Sequence, residues 1–150
     1  MNRLSAILAA CITTGSLTGP ARADLLSAKG DVFAILAGEL FVGEAEGHLD
    51  GSGTLAIHSQ KTPTLTCTGK FTSSAEAGGK GQLSCSNGNS ATFQFKRLTL
   101  RRGYGTGTLT RGTMSFTYGL SADEAPRYLK LPKNKQLKRD GSGLQLVASG

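Results

Sequence analysis

His48 and His58 are the only two imidazoles in the sequence, and Glu44 and Glu46 stand close by. Two imidazoles and two carboxylates form a donor set suited to zinc or copper. Whether they meet depends on the element that carries them. Phe41, Gly43, Ala45, Gly47 and Leu49 alternate with Val42, Glu44, Glu46 and His48, after which Asp50-Gly51-Ser52-Gly53 has the composition of a turn. Leu55 and Ile57 then alternate with Thr54, Ala56 and His58. Period-two alternation on both sides of a glycine turn predicts a β-hairpin with one apolar and one polar face. Pairing Gly47 with Leu55 and Ala45 with Ile57 would set Glu44 opposite His58 and gather Glu44, Glu46, His48 and His58 on the polar face. No ligand-spacing motif supports a metal centre there, and a solvated face of mixed charge is the simpler reading. Catalysis has less support still. No serine, histidine and acid share a local signature, and every serine lies in a turn or a polar alternation. No catalytic residue is assigned, no cofactor is expected, and the sequence does not read as an enzyme.

Cationic residues are the second candidate group. Lys96, Arg97, Arg101, Arg102 and Arg111 form an anion-binding set, with Arg127, Lys130, Lys133, Lys135, Lys138 and Arg139 behind them. Residues 24–95 hold four basic and seven acidic side chains, whereas residues 96–150 hold eleven basic and three acidic. If a hairpin over residues 104–118 packs beside the tail, these charges make a patch that attracts phosphates or sulfates in a salt-dependent way. Lipopolysaccharide, anionic phospholipid and acidic protein surfaces are the candidate partners. Tyr104 and Tyr128 are too few to stack bases, which disfavours nucleic acid. The plainer account is that a basic pI keeps the chain soluble.

The third group is the cysteines, and their chemistry depends on the compartment. In MNRLSAILAACITTGSLTGPARAD, Arg3 precedes an apolar run, and Ala21-Arg22-Ala23 has the small-x-small form of a signal-peptidase site before Asp24. Residues 1–23 therefore read as a signal peptide and residues 24–150 as a single β-rich domain, periplasmic or secreted. Leu8-Ala9-Ala10-Cys11 also matches a lipobox, which would instead anchor a lipoprotein at Cys11. Either route leaves Cys67 and Cys85 as a pair in a compartment where disulfides persist. They lie in two alternating segments, Leu65-x-Cys67-x-Gly69-x-Phe71 and Gly81-x-Leu83-x-Cys85. A hairpin centred near Glu76 would set them directly opposite one another, within disulfide reach. No later apolar run is long enough to span a membrane.

The elements that position these groups follow from a recurring glycine signature. Gly-x-Gly-x-Leu occurs at Gly51-Gly53-Leu55, Gly79-Gly81-Leu83 and Gly105-Gly107-Leu109, which predicts an internal repeat of one hairpin per unit. The third hairpin pairs residues 104–109 with residues 113–118 around Thr110-Arg111-Gly112. None of these glycines completes G-x-G-x-x-G between a strand and a helix, and no phosphate-binding loop motif is present. Phe41-x-Gly43 leading to Gly51-x-Gly53-x-Leu55, and Cys67-x-Gly69-x-Phe71 leading to Gly79-x-Gly81-x-Leu83 and Asn87-Gly88, are similar to MORN repeats. The resemblance covers residues 41–119, with unequal units and cysteine where that family has an aromatic. It implies β-hairpin architecture; such arrays are associated with protein and lipid contacts and with assembly.

Residues 32–37 form an apolar run whose period decides neither strand nor helix. Ser121-Ala122-Asp123-Glu124 has the form of a capping box and predicts a short helix to about Leu129, laid by Tyr128, Leu129 and Leu131 across an open end of the sheet. A last hairpin is expected around Asp140-Gly141, with Leu144 and Leu146 facing inward. The expected fold is all-β, an antiparallel meander of hairpins curling into a small barrel with one short C-terminal helix. The expected function is an exported cell-envelope binding or structural module. An inhibitor or accessory protein of an envelope enzyme, presenting an acidic loop over residues 39–50, is one alternative, and a metal-binding protein using Glu44, His48 and His58 is another.

Overall fold

Alternation of apolar and polar residues runs through nearly the whole chain and builds a barrel. The structure, a computed structural model, describes residues 27–74 and 76–150. The expected signal peptide and the alternative lipid anchor at Cys11 lie outside the described residues. Eight strands, β1 (Ser27–Leu36), β2 (Glu39–His48), β3 (Ser52–Ser59), β4 (Thr66–Ser74), β5 (Gly78–Cys85), β6 (Ser90–Thr99), β7 (Arg102–Leu109) and β8 (Gly112–Tyr118), follow one another as an antiparallel meander. β1 closes on β8 from Val32↔Tyr118 to Leu36↔Met114. Closure leaves no unpaired edge between neighbouring strands. The apolar run is thus strand as far as Leu36, buried on both faces because it is covered inside and out, and Ala37 opens the turn to β2.

Inside the barrel, glycines on the odd strands face aromatic rings on the even ones. Gly53 lies opposite Phe71, Gly81 opposite Phe93, Gly79 opposite Phe95, Gly105 opposite Phe116 and Gly103 opposite Tyr118. Each ring lies over the bare backbone of its partner. A Cβ added at Gly79 or at Gly105 would come within 2.6 Å of the Phe95 or Phe116 Cζ. The repeat read from the sequence therefore has a packing cause: missing side chains on β3, β5 and β7 make room for rings from β4, β6 and β8. Phe71, Phe95 and Tyr118 meet edge to face at 5.6 Å spacings, and Phe93 meets Phe116 the same way at 5.2 Å. Such geometry adds to area burial. The interior is thereby filled with side chains.

Cys67 and Cys85 lie directly opposite one another on β4 and β5, and their sulfurs are joined at 2.06 Å. The bond constrains the unfolded chain over a sequence separation of 18, worth about 3 kcal/mol on the chain-entropy account. Both cysteines sit on the inner face, as the alternation predicts.

Beyond Gly119 the chain doubles back over the outside of the barrel. A one-turn 3-10 helix (Ala125–Tyr128) leads to a hairpin of β9 (Lys135–Asp140) and β10 (Gly143–Ala148), paired from Gly143↔Asp140. Leu120, Ala122, Ala125, Leu129 and Leu144 bury the outward faces of Phe33, Ile35 and Leu40 in a second core. The tail thus lies along the barrel's outer wall rather than across an open end, because that is where β1 and β2 present apolar side chains. The helix is shorter than expected. The Glu124 carboxylate accepts hydrogen bonds from the Ser121 backbone N–H and hydroxyl, while the Ser121 hydroxyl caps no backbone N–H.

Candidate functional site

Outward positions on β4–β7 carry a composition found nowhere else in the molecule. They read Thr66, Thr68, Lys70, Thr72 and Ser74 on β4, Lys80, Gln82 and Ser84 on β5, Ser90, Thr92, Gln94 and Lys96 on β6, and Tyr104, Thr106 and Thr108 on β7. Between residues 66 and 113 the only carboxylate is Glu76, in the β4–β5 turn. The register sets the lysines in line. Lys70 faces Gln82 and Lys80 faces Thr72, so these two lysines are diagonal neighbours; Lys80 faces Gln94, which makes Lys96 the next diagonal neighbour. Diagonal pairs across a sheet lie roughly 7–8 Å apart. Lys96 faces Tyr104 directly. Two adjoining surface concavities share Thr72, Lys80, Gln94 and Thr106, and Lys130 from the tail lines the far side of the first. The result is one shallow cationic groove walled by hydroxyls and amides.

Acidic residues lie on the other side of the barrel. Asp31 on β1 and Glu44 and Glu46 on β2 point outward, and Lys29 pairs with Glu44 at 3.3 Å. β2 and β6 are four strands apart in the closed order, so Lys96 lies on the side opposite Glu44 and Glu46, whereas Lys70 on β4 lines a shared concavity with those two carboxylates. A molecule charged in this way presents its β4–β6 side to an anionic partner before contact.

The anion-binding residues expected from the sequence are not one patch. Lys96 lies in the groove, exposed. Arg97 points inward at the barrel mouth, where its guanidinium donates to the Ser73 hydroxyl at 2.5 Å and to the Leu100 carbonyl. Arg101 is exposed in the β6–β7 turn, and Arg102 is ion-paired with Glu124. Arg111 sits in the β7–β8 turn, at the opposite end of the barrel, and contacts Asn87 and Asn89. In the tail, Arg139 is paired with Asp123 at 2.6 Å. The groove lysines 70 and 80 were not among the expected residues, although Thr-x-Lys-x-Thr at residues 68–72, set in a polar phase without acids, carries the signal.

The proposed metal donors share a face but do not converge. The first hairpin is offset by two residues from the expected register, with Gly47 opposite Gly53, Ala45 opposite Leu55, Glu44 opposite Ala56, and His58 opposite Val42. A shift of two keeps each side chain on its face. It occurs because the turn tightens onto residues 49–51, with Gly51 at a φ of 87°. Glu44 goes to Lys29, and among the described residues no group of three or more His, Cys, Asp or Glu side chains is placed to hold a metal ion. The acidic loop expected over residues 39–50 is mostly strand β2.

Among the described residues, only two carboxyls are held clearly below their ordinary range. Arg102, then the backbone and hydroxyl of Ser121, bring Glu124 down from 4.5 to about 2. Ser52 donates twice to Asp50 in the β2–β3 turn and lowers that carboxyl too. Tyr118 is moved the other way, its phenol pushed up by burial. None of these lies in the groove, whose cations are fixed charges on a solvated wall. Among the described residues no helix is long and apolar enough to cross a membrane. β4–β7 put polar residues outside and apolar ones inside, the reverse of a membrane-spanning barrel. No protein-family model, no curated protein and no solved structure matches the chain.

Proposed function

We propose that this chain is an exported, non-enzymatic binding module of the cell envelope whose β4–β7 wall takes an acidic glycan. The observation that carries this reading is the diagonal of Lys70, Lys80 and Lys96 on a wall with no carboxylate among its outward side chains. Lysine ammoniums at regular spacing suit an extended chain with repeated negative charge. Between them Thr72, Gln82, Gln94 and Thr106 offer hydroxyls and amides that pair with sugar hydroxyls. Tyr104 stacks on Tyr128 at 4.5 Å, so its ring is already engaged and a platform for bases is lacking. The Cys67–Cys85 bond supports an oxidising compartment.

The test is titration with heparin or alginate against neutral dextran, in a series of salt concentrations. Binding should fall steeply with salt and should drop by at least about tenfold in Lys70→Glu with Lys80→Glu, a change that alters only exposed side chains. Equal binding of neutral and acidic polymers, or an unaltered affinity in the double variant, would sink the reading.

A further inference from the structure

Among the described residues, the exposed large apolar side chains are Leu49, Leu98, Leu100 and Leu131, with Leu49 77% and Leu100 73% exposed. Three of these sit at one end of the barrel, where the β2–β3, β4–β5 and β6–β7 turns cluster. Leu49 is in the β2–β3 turn. Leu98 and Leu100 flank the β6–β7 turn, where the register slips between Arg97 and Thr99 and the extra residue, Leu98, is turned outward. In a closed order of eight strands the two leucine-bearing turns face each other across the mouth.

Neither turn is loose. Arg97 donates through Nη1 to the Leu100 carbonyl and through Nη2 to the Ser73 hydroxyl, and Ser73 donates in turn to the Gly51 carbonyl at 3.2 Å. One hydrogen-bond chain therefore ties the Leu100 turn to the Leu49 turn across the mouth. Asp50 accepts from the Ser52 backbone and hydroxyl, and the Arg101 N–H donates to Thr99 Oγ1, so each tip is also braced from within. The fold thus spends polar contacts on holding leucines out in water. Arg101 is exposed next to Leu100, and Lys96 lies just below it on β6; the acids near this rim include Asp50, engaged by Ser52, Glu124, paired with Arg102, and Glu76.

We infer that this rim seats on a phospholipid bilayer, with Leu49, Leu98 and Leu100 entering the headgroup–acyl boundary and Arg101 and Lys96 meeting lipid phosphates. A protein partner would need a contiguous complementary patch. Separate apolar tips on opposite sides of a mouth suit a fluid interface that closes around each one, and basic side chains beside them suit its phosphates. The leucine tips and Arg101 are distinct from the β4–β7 wall, which this surface borders at Lys96, and the leucine test stands or falls independently of glycan binding.

The chain contains no tryptophan, so a single introduced indole reports its own surroundings. Leu100→Trp, Leu49→Trp and, as the wall control, Thr92→Trp would each be titrated with vesicles of phosphatidylcholine containing phosphatidylglycerol. Emission should move to the blue for the two rim variants and stay fixed for the control. Leu49→Ser with Leu100→Ser should weaken vesicle cosedimentation of the otherwise intact chain by at least about tenfold. No spectral movement at the rim, the same movement at Thr92, or undiminished cosedimentation of the double serine variant would each overturn the inference. So would a blue shift that follows protein concentration in the absence of lipid, which would mark the rim as a self-association surface.

Discussion

On β1 and β2 the outward side chains are apolar along part of their length and lie beneath the chain's own tail, beside buried Ser115 and Thr117 of β8; on β4–β7 they are mostly threonine, serine, glutamine and lysine and meet solvent. The two walls share an interior, a strand spacing and a meander, yet they are stabilised differently. The covered wall is packed on both faces, so its stability depends on two sets of contacts. The bare wall is held mainly by its inner face, the tail touching it only along β7 at Arg102 and Tyr104, and its other outer residues are free to be chosen for a ligand. Where a small barrel leaves polar residues uncovered in a coherent charge pattern, that wall is the place to look for binding.

The sharpest way to break this comparison is to cut matching side chains from the two outer surfaces. Leu144, 1% exposed in the second core, should cost about 2–5 kcal/mol when replaced by alanine. Thr106→Ala, on the bare wall, should stay within about 0.5 kcal/mol. Denaturant midpoints measure both, and comparable losses would mean that the walls are not energetically distinct.

A smaller effect tests the claim that the bare wall depends on its inner face. In Gly105→Ala the new methyl meets the Gln94 backbone carbonyl as well as the Phe116 ring, and overpacking of this kind costs about 1–3 kcal/mol. A neutral Gly105→Ala would show that the ring-over-glycine contact has slack. The smallest effect concerns the tie between the walls, the Arg102–Glu124 pair that fixes the tail to β7. Glu124 is held down to about 2, chiefly by Arg102. A depressed carboxyl stabilises the docked tail fully above its ordinary value of 4.5, and that contribution is lost as the pH falls towards about 2. Glu124→Gln should flatten the acid limb of a stability profile in that window, and an identical limb in the variant would remove the pair from the account.

Much of the barrel was legible because period-two alternation survives in single strands. Phe41 to Gly47, Cys67 to Phe71 and Gly103 to Leu109 each show which face is inward, and Cys67 opposite Cys85 followed from their symmetric placement about Glu76. The register of the first hairpin was not legible. Asp50-Gly51-Ser52-Gly53 looks like the turn, but Gly53 belongs to β3, where it makes room for Phe71, and that demand comes from a residue 18 positions later, on the next strand. Residues 32–37 gave no period because they are buried on both sides, and the cause, the tail, lies at the far end of the chain. The groove was missed for a related reason. Lys70, Lys80 and Lys96 are unremarkable in sequence and become a line only when three strands are set in register, whereas the cluster of arginines at residues 97–102 attracts the eye and is dispersed among a mouth, a turn and an ion pair.

The seam at which the first and last barrel strands meet is roofed by residues that follow the last of those strands. Phe33 and Ile35 are among the earliest apolar residues of the described chain, yet their cover, Leu129 and Leu144, arrives only after all eight barrel strands. Vectorial emergence from a ribosome or a translocation channel therefore cannot yield the native molecule piecemeal. A chain halted after β8 would close its ring and still display a greasy strip, a natural handle for quality-control proteases and chaperones.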